Sequence, residues 1–186
     1  MSKKSVDTYV VLLRGINVGG HNKLKMADLK SSLAALKYQT VQTYLQSGNI
    51  VLTTGKTDPE KISSAISRNI KRTFGFDVPV HAIVARQWDR IVNGNPLLKK
   101  DQSNIKDLHV TFCHTAPDKR LISALKVPAG VNDSFSFGKQ ECYVRCTDGY
   151  GKSKLTNSFF EKQLSVACTS RNWKTVIALQ KLIAKI

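Results

Sequence analysis

The chain has 186 residues, 41% apolar and 23% charged, a globular composition whose length suits one larger domain or two compact ones. No run approaches the about 20 apolar residues of a membrane span. The apolar stretch near the basic N-terminus runs straight into Arg14 without a small-residue cleavage site, which speaks against a secretory signal, so a cytoplasmic protein with no membrane partner is expected. The net charge is +16, with 14 basic against 6 acidic residues through Asn93 and 15 against 7 beyond it, so the charge belongs to the folded body and suits an anionic partner or a merely basic protein.

In chain order, Asp7 to Leu13 is a near-continuous aliphatic run, as in a strand covered on both faces. Met26, Leu29, Leu33 and Leu36 recur at helical spacing and predict a helix. TVQTYL and NIVLTT follow as two strands around the turn Gln46-Ser47-Gly48. Pro59 opens a second helix whose Ile62, Ile66, Ile70 and Phe74 repeat every fourth residue, and VPVHAIVA closes the series as a strand. The succession β-α-β-β-α-β predicts a ferredoxin-like α+β half, an antiparallel sheet with two helices on one face.

The second half repeats most of this order: LHVTFCH as strand, PDKRLISALKV as helix, DSFSFG and ECYVRCT as a hairpin, and SKLTNSFFEKQL as helix. It is expected to end in a helix from Trp173 rather than in a strand. The organisation expected is a first half over 1–85, a connecting helix and polar linker over 86–106, and a related half with a C-terminal helix over 107–186.

Four polar, basic, small-residue segments exceed what packing needs: 14–22, 46–49, 150–157 and 170–174. Three lie in acid-poor stretches, since Asp28 is the sole acid between Thr8 and Thr57 and none follows Glu161. The first joins a strand to a helix start, where free N–H groups and the helix dipole attract anions. Gly15, Gly19 and Gly20 permit positive φ and close approach, and Arg14 can offer a bidentate fork. Neither the dinucleotide fingerprint nor the Walker pattern fits, so a strain-relieving turn is the other reading.

In GYGKSKLTNSFF, Gly151-Lys152-Ser153 mimics a P-loop ending, but Cys146 stands where the earlier glycine belongs. What remains is Ser153 as N-cap, Lys152 and Lys154 at a helix start, and Asn157 one turn further in, against a plain solvated helix start. Asn172 reads as the N-cap of the last helix, Arg171 as a phosphate or base contact, and Trp173 as packed core.

The four histidines show no metal-ligand spacing, and Cys113, Cys142, Cys146 and Cys168 form no C-x-x-C pair. Buried structural thiols are expected, with no metal and no cofactor. No nucleophile elbow is present. A base-stacking sheet is disfavoured because NIVLTT lacks aromatics, leaving Tyr9 as the one contributor from the first strand.

LLRGINVGGHNKLKMADL, TYLQSGNIVL, YGKSKLTNSFFEKQL and TSRNWKTV, in that order, resemble the signatures of the bacterial family called domain of unknown function 1697. The matching positions include Arg14, Gly15, Asn17, Gly19, Gly20, Gln46, Ser47, Gly48 and Asn49, and then Tyr150, Gly151, Ser153, Lys154, Asn157, Arg171, Asn172 and Trp173. Lys25 stands where similar proteins often have proline. The resemblance implies a cytoplasmic bacterial protein with a duplicated ferredoxin-like fold, and it implies no activity.

The leading expectation is a protein binding an anionic phosphorylated ligand, nucleic acid or nucleotide-like, where the motif loops of both halves converge. Its candidate contacts are Arg14, Asn17, Gly19, Gly20, Gln46, Ser47, Asn49, Lys152, Ser153, Lys154, Asn157, Arg171 and Asn172. One alternative is an enzyme acting on a phosphorylated small molecule, with Arg14, Lys152, Lys154 and Arg171 as clamp and His21 as acid/base group. The other is an interaction or scaffold protein whose motifs serve packing.

Overall fold

Apolar residues at every second strand position and every fourth helical one decide which surfaces meet. The computed structural model describes residues 6–100 and 104–186; residues 1–5, with the N-terminal lysines, and 101–103, part of the expected polar linker, lie outside the described residues. Two compact units form, one running through Asp89 and including Leu179–Ile186, the other spanning Arg90–Ala178.

In the first unit β1 (Val6–Leu13), α1 (Met26–Leu33), β2 (Thr40–Tyr44), β3 (Asn49–Gly55), α2 (Pro59–Phe74) and β4 (Val80–Val84) follow one another. The antiparallel sheet has the order β2-β3-β1-β4. Tyr9, Val11 and Leu13 of β1 share one face with Ile50 and Leu52 of β3, and against it pack Leu29 and Leu33 of α1 and Ile62, Ile66 and Ile70 of α2. Burying each of those isoleucines contributes about 2 kcal/mol, which fixes the helix to the sheet. Asp58 caps α2 by accepting from Glu60 N–H at 2.9 Å, and Gly75, at φ 85°, ends it. The helix expected through Leu36 stops at Leu33 and tightens into a 3₁₀ turn over Ala34–Leu36. Tyr9 is core, 1% exposed, with its hydroxyl donating to Thr57 O and accepting from Thr57 N–H. It is therefore no base platform.

The expected single connecting helix is two, α3 (Ala85–Asn93) and α4 (Pro96–Lys100), broken at Gly94 and Asn95. The buried Asn95 accepts from Leu97 N–H at 3.0 Å and so restarts the chain as a helix.

The second unit holds β5 (Leu108–Cys113), α5 (Lys119–Ala124), β6 (Ser134–Phe137), β7 (Glu141–Arg145), α6 (Asn157–Leu164) and β8 (Cys168–Asn172), with the sheet order β6-β7-β5-β8. That order repeats the topology of the first sheet, so the α+β fold is a pair of ferredoxin-like halves, followed by the C-terminal helix α7 (Trp173–Ile183). Its core joins Cys113, Cys142, Val144 and Cys168 of the sheet to Phe160 and Leu164 of α6. The rings of Phe135, Phe137 and Phe159 meet Phe160 edge-on.

Three expectations change here. The half does not pass from helix to helix at its end: β8 intervenes, at the edge of the sheet and, among the described residues, paired with β5. The helix expected through Val127 ends at Ala124, where Leu125 is already extended ahead of Pro128. Ser153 does not cap α6; Thr156 does, accepting from Phe159 N–H at 3.3 Å, which makes Asn157 the first helical residue. Among the described residues no helix is long and apolar enough to cross a membrane.

Candidate functional site

The connection from β1 to α1, residues 14–25, is shaped by positive φ angles. Val18 and His21 face each other across Gly19 and Gly20, whose φ of 58° and 80° suit a tight reverse turn, closed by His21 N–H donating to Val18 O at 3.0 Å. Asn17, itself at φ 55°, works as a staple: Nδ2 donates to Leu24 O at 2.8 Å and Gln46 O at 2.7 Å, and Oδ1 accepts from Leu24 N–H at 2.8 Å. Asn22 Nδ2 donates to Gly15 O at 3.1 Å. The Asn17 amide thus bridges segments 14–22 and 46–49, reaching Gln46, 29 residues away in sequence.

The turn after β2 is equally constrained. Gly48 has φ 73°, and a Cβ there would stand 2.5 Å from Leu13 Cβ and 2.8 Å from Ile16 Cδ1, so close approach requires glycine. Asn49, fully buried, donates to Tyr44 O and Ser47 Oγ, both at 2.9 Å. Gln46 and Ser47 are exposed at the tip, beside Leu45 in the left-handed region. Arg14 is half-buried, with its N–H bonded to Pro79 O at 3.0 Å.

The start of α1 differs from the other capped helices. Lys25 is its N-cap and makes no side-chain cap bond, whereas α2, α5 and α6 have Asp58, Asp118 and Thr156. A helix without a cap keeps N-terminal N–H groups available to solvent or to an anion. Lys23 and Lys25 are exposed beside it, and Asp28 lies in the first turn.

In the second unit the motif residues turn inward. Ser153 Oγ donates to Asp133 Oδ2 at 2.6 Å, and Lys154 Nζ donates to Ala129 O at 2.7 Å. Gly149, Lys152 and Ser153 N–H groups bond to the carbonyls of Cys146, Gly149 and Tyr150. Those three amides are spent on successive turns, and Lys152 itself is exposed.

Ser170 Oγ lies 2.6 Å from both Asn157 Oδ1 and Thr111 Oγ1. Arg171 is 8% exposed and donates to Thr169 Oγ1 and Ser170 O at 2.9 Å. Burial lowers its pKa to about 10, opposed by the Tyr150 phenol. Asn172 caps α7 through Lys174 N–H and donates to Lys106 O and His109 Nε2. His109, its Nδ1–H aimed at Asp107 O, stacks on Tyr150 at 4.5 Å between centroids, and burial pulls its pKa down against the influence of Asp107. Burial raises the Tyr150 phenol, with a bond to Ser170 opposing.

His109, Thr111, Asp133, Tyr150, Thr169 and Ser170 are polar residues of this network that the candidate set lacked. A histidine in a strand and an acid far from the motifs carry no local signal of partnership. Among the described residues no group of three or more His, Cys, Asp or Glu is arranged to hold a metal.

A family model described as "Protein of unknown function (DUF1697)" matches residues 6–143. The chain belongs to that family. The match contains the stapled loops of the first unit and ends before segments 150–157 and 170–174. A conserved bacterial protein from Streptococcus pneumoniae has the same fold, with a TM-score of 0.70 at 21% identity over 95% of this chain and 98% of that one. No curated protein matches significantly.

Proposed function

We propose that this member of the DUF1697 family binds a phosphorylated polyanion, nucleic acid in the first instance, at the β1–α1 connection of its first unit. The observation that carries the reading is the N-terminus of α1, which lacks a side-chain cap and is flanked by the exposed Lys23 and Lys25 in a stretch with few acids. N–H groups at a helix start and ammonium groups recognise phosphate oxygens without reading sequence. The +16 charge adds long-range attraction. Asn17, Asn49 and Gly48 then act by holding the loops in shape, and ligand contact passes to Lys23, Lys25, Gln46 and the loop backbone.

Two readings compete. The inward bonds of Asn17, Asn49, Ser153 and Asn157 favour motifs that serve packing, as in a scaffold protein. The enzyme reading is weakened because Lys154 and Arg171 spend hydrogen bonds on their own unit. Fluorescence anisotropy with labelled single-stranded and duplex oligonucleotides at low salt separates them. The binding reading expects micromolar affinity, and expects the double variant Lys23→Glu, Lys25→Glu to lose at least about tenfold while keeping the melting temperature. It also expects the salt dependence to become shallower, since each phosphate contact contributes about 0.7–0.9 to the log–log slope. Millimolar dissociation constants for every oligonucleotide would leave the scaffold reading standing.

A further inference from the structure

The thiols of the second unit's core are not equivalent. Cys113 of β5 and Cys168 of β8 are register partners, with their sulfurs 3.6 Å apart. Backbone bonds define what kind of pair this is. His114 N–H donates to Ala167 O at 2.9 Å, which makes the adjacent position a hydrogen-bonded pair. Cys113 N–H turns to Gln140 O of the β6–β7 turn at 2.8 Å, and Cys168 N–H goes to Glu161 Oε1 of α6 at 2.9 Å. Cys113 and Cys168 are therefore a non-hydrogen-bonded pair, whose Cα atoms in an antiparallel sheet stand about 4.5 Å apart. That spacing falls inside the about 4.4–6.8 Å range of disulfides.

The register on the other side of β5 sets Cys142 apart from Cys113. Cys142 pairs with Thr111 and lies diagonal to Cys113, a relation of about 7–8 Å that exceeds disulfide reach. Cys146 follows the end of β7. To form the bond, the sulfurs of Cys113 and Cys168 close from 3.6 Å to about 2.05 Å.

We infer that Cys113 and Cys168 are a modification site: peroxide converts them to a reversible intramolecular disulfide that fastens the edge strand β8 to β5. One thiolate attacks a peroxide oxygen; the S–O bond forms, the O–O bond breaks and, with a proton, one water leaves. The second thiol attacks the resulting sulfenic sulfur; the S–S bond forms, the S–O bond breaks and a second water leaves. Two thiols lose two electrons and two protons, and one peroxide becomes two waters. Both side chains are fully buried, so the oxidant has to be water-sized and reaches them when the edge strand opens. β8 also carries Arg171 and Asn172, so the bond holds the strand that anchors the start of α7.

The folded wild-type chain is treated with hydrogen peroxide, quenched with an alkylating agent under denaturing conditions, digested and analysed by mass spectrometry. The expected result is a Cys113–Cys168 linked peptide pair, two hydrogen masses lighter than the thiol peptides, as the dominant cross-link, and its disappearance with dithiothreitol. Cys142→Ala keeps the cross-link and Cys168→Ser abolishes it. A dominant link through Cys142, or Cys113 and Cys168 both recovered alkylated or both as sulfonic acids, overturns the inference. The decisive readout uses the wild-type chain, so the folding of a variant does not enter it.

Discussion

The connection β1–α1 and its counterpart β5–α5 occupy the same place in two halves of one topology, and they are built in opposite ways. The second is five residues, 114–118, and ends in Asp118, which caps α5 through Arg120 N–H at 2.8 Å and also binds the Arg120 guanidinium. The first is twelve residues, 14–25, contains no acid, and reaches α1 with an uncapped lysine. The short connection satisfies its helix start from within. The long one spends side chains on holding loop against loop and brings α1 no side-chain cap, with Asp28 in the helix's own first turn.

Stability measurements on variants can break this contrast, and the largest effect belongs to Gly48. Gly48→Ala drives a methyl into Leu13 and Ile16 at positive φ, and a loss of about 3 kcal/mol in denaturant unfolding is expected. A loss below about 1 kcal/mol would mean that the two loops are not tightly joined. Asn17→Ala comes next. It strands Leu24 N–H and the carbonyls of Leu24 and Gln46, and about 2 kcal/mol is expected from three hydrogen bonds, more than Asp118→Ala costs in the other connection. Equal melting temperatures for the two variants would remove the staple from the account.

The smallest effect is one of pH and arises on β5. Burial holds His109 below its ordinary 6.5, so the folded state binds fewer protons than the unfolded chain. The contribution of His109 to stability is complete above about pH 6.5 and is lost as the pH falls toward the folded value. His109→Gln should flatten the fall in melting temperature between pH 7 and 5; an unchanged profile would assign that fall to other groups.

Much of the fold is legible locally. Ile62, Ile66 and Ile70 with Pro59 place α2 from spacing alone, and the strand order follows once β-α-β-β-α-β is recognised. β8 is not legible, because Cys168–Asn172 is short, polar and pairs through its backbone on one side only. Ser153 and Thr156 are equally good caps on paper; the turns from Cys146 to Ser153 decide for Thr156. The turns and helix starts that carry the candidate residues were legible in the sequence, but the partners of their side chains were not. Asn17 carries no sign in the sequence that its amide belongs to Gln46, 29 residues away, and Arg171 none that it is buried. An inward hydrogen bond between distant loops is a tertiary fact.

The central claim is that the uncapped start of α1 receives phosphate, and Lys25→Ser tests it most directly. Serine at the N-cap closes the first turn from within, as Asp118 does for α5, and should raise stability by about 1 kcal/mol. If the claim holds, the same substitution weakens oligonucleotide binding at least about tenfold in anisotropy titrations, while Lys25→Ala, which removes the charge without supplying a cap, weakens it less. Equal affinities for Lys25→Ser and Lys25→Ala, or wild-type affinity for both, would contradict it.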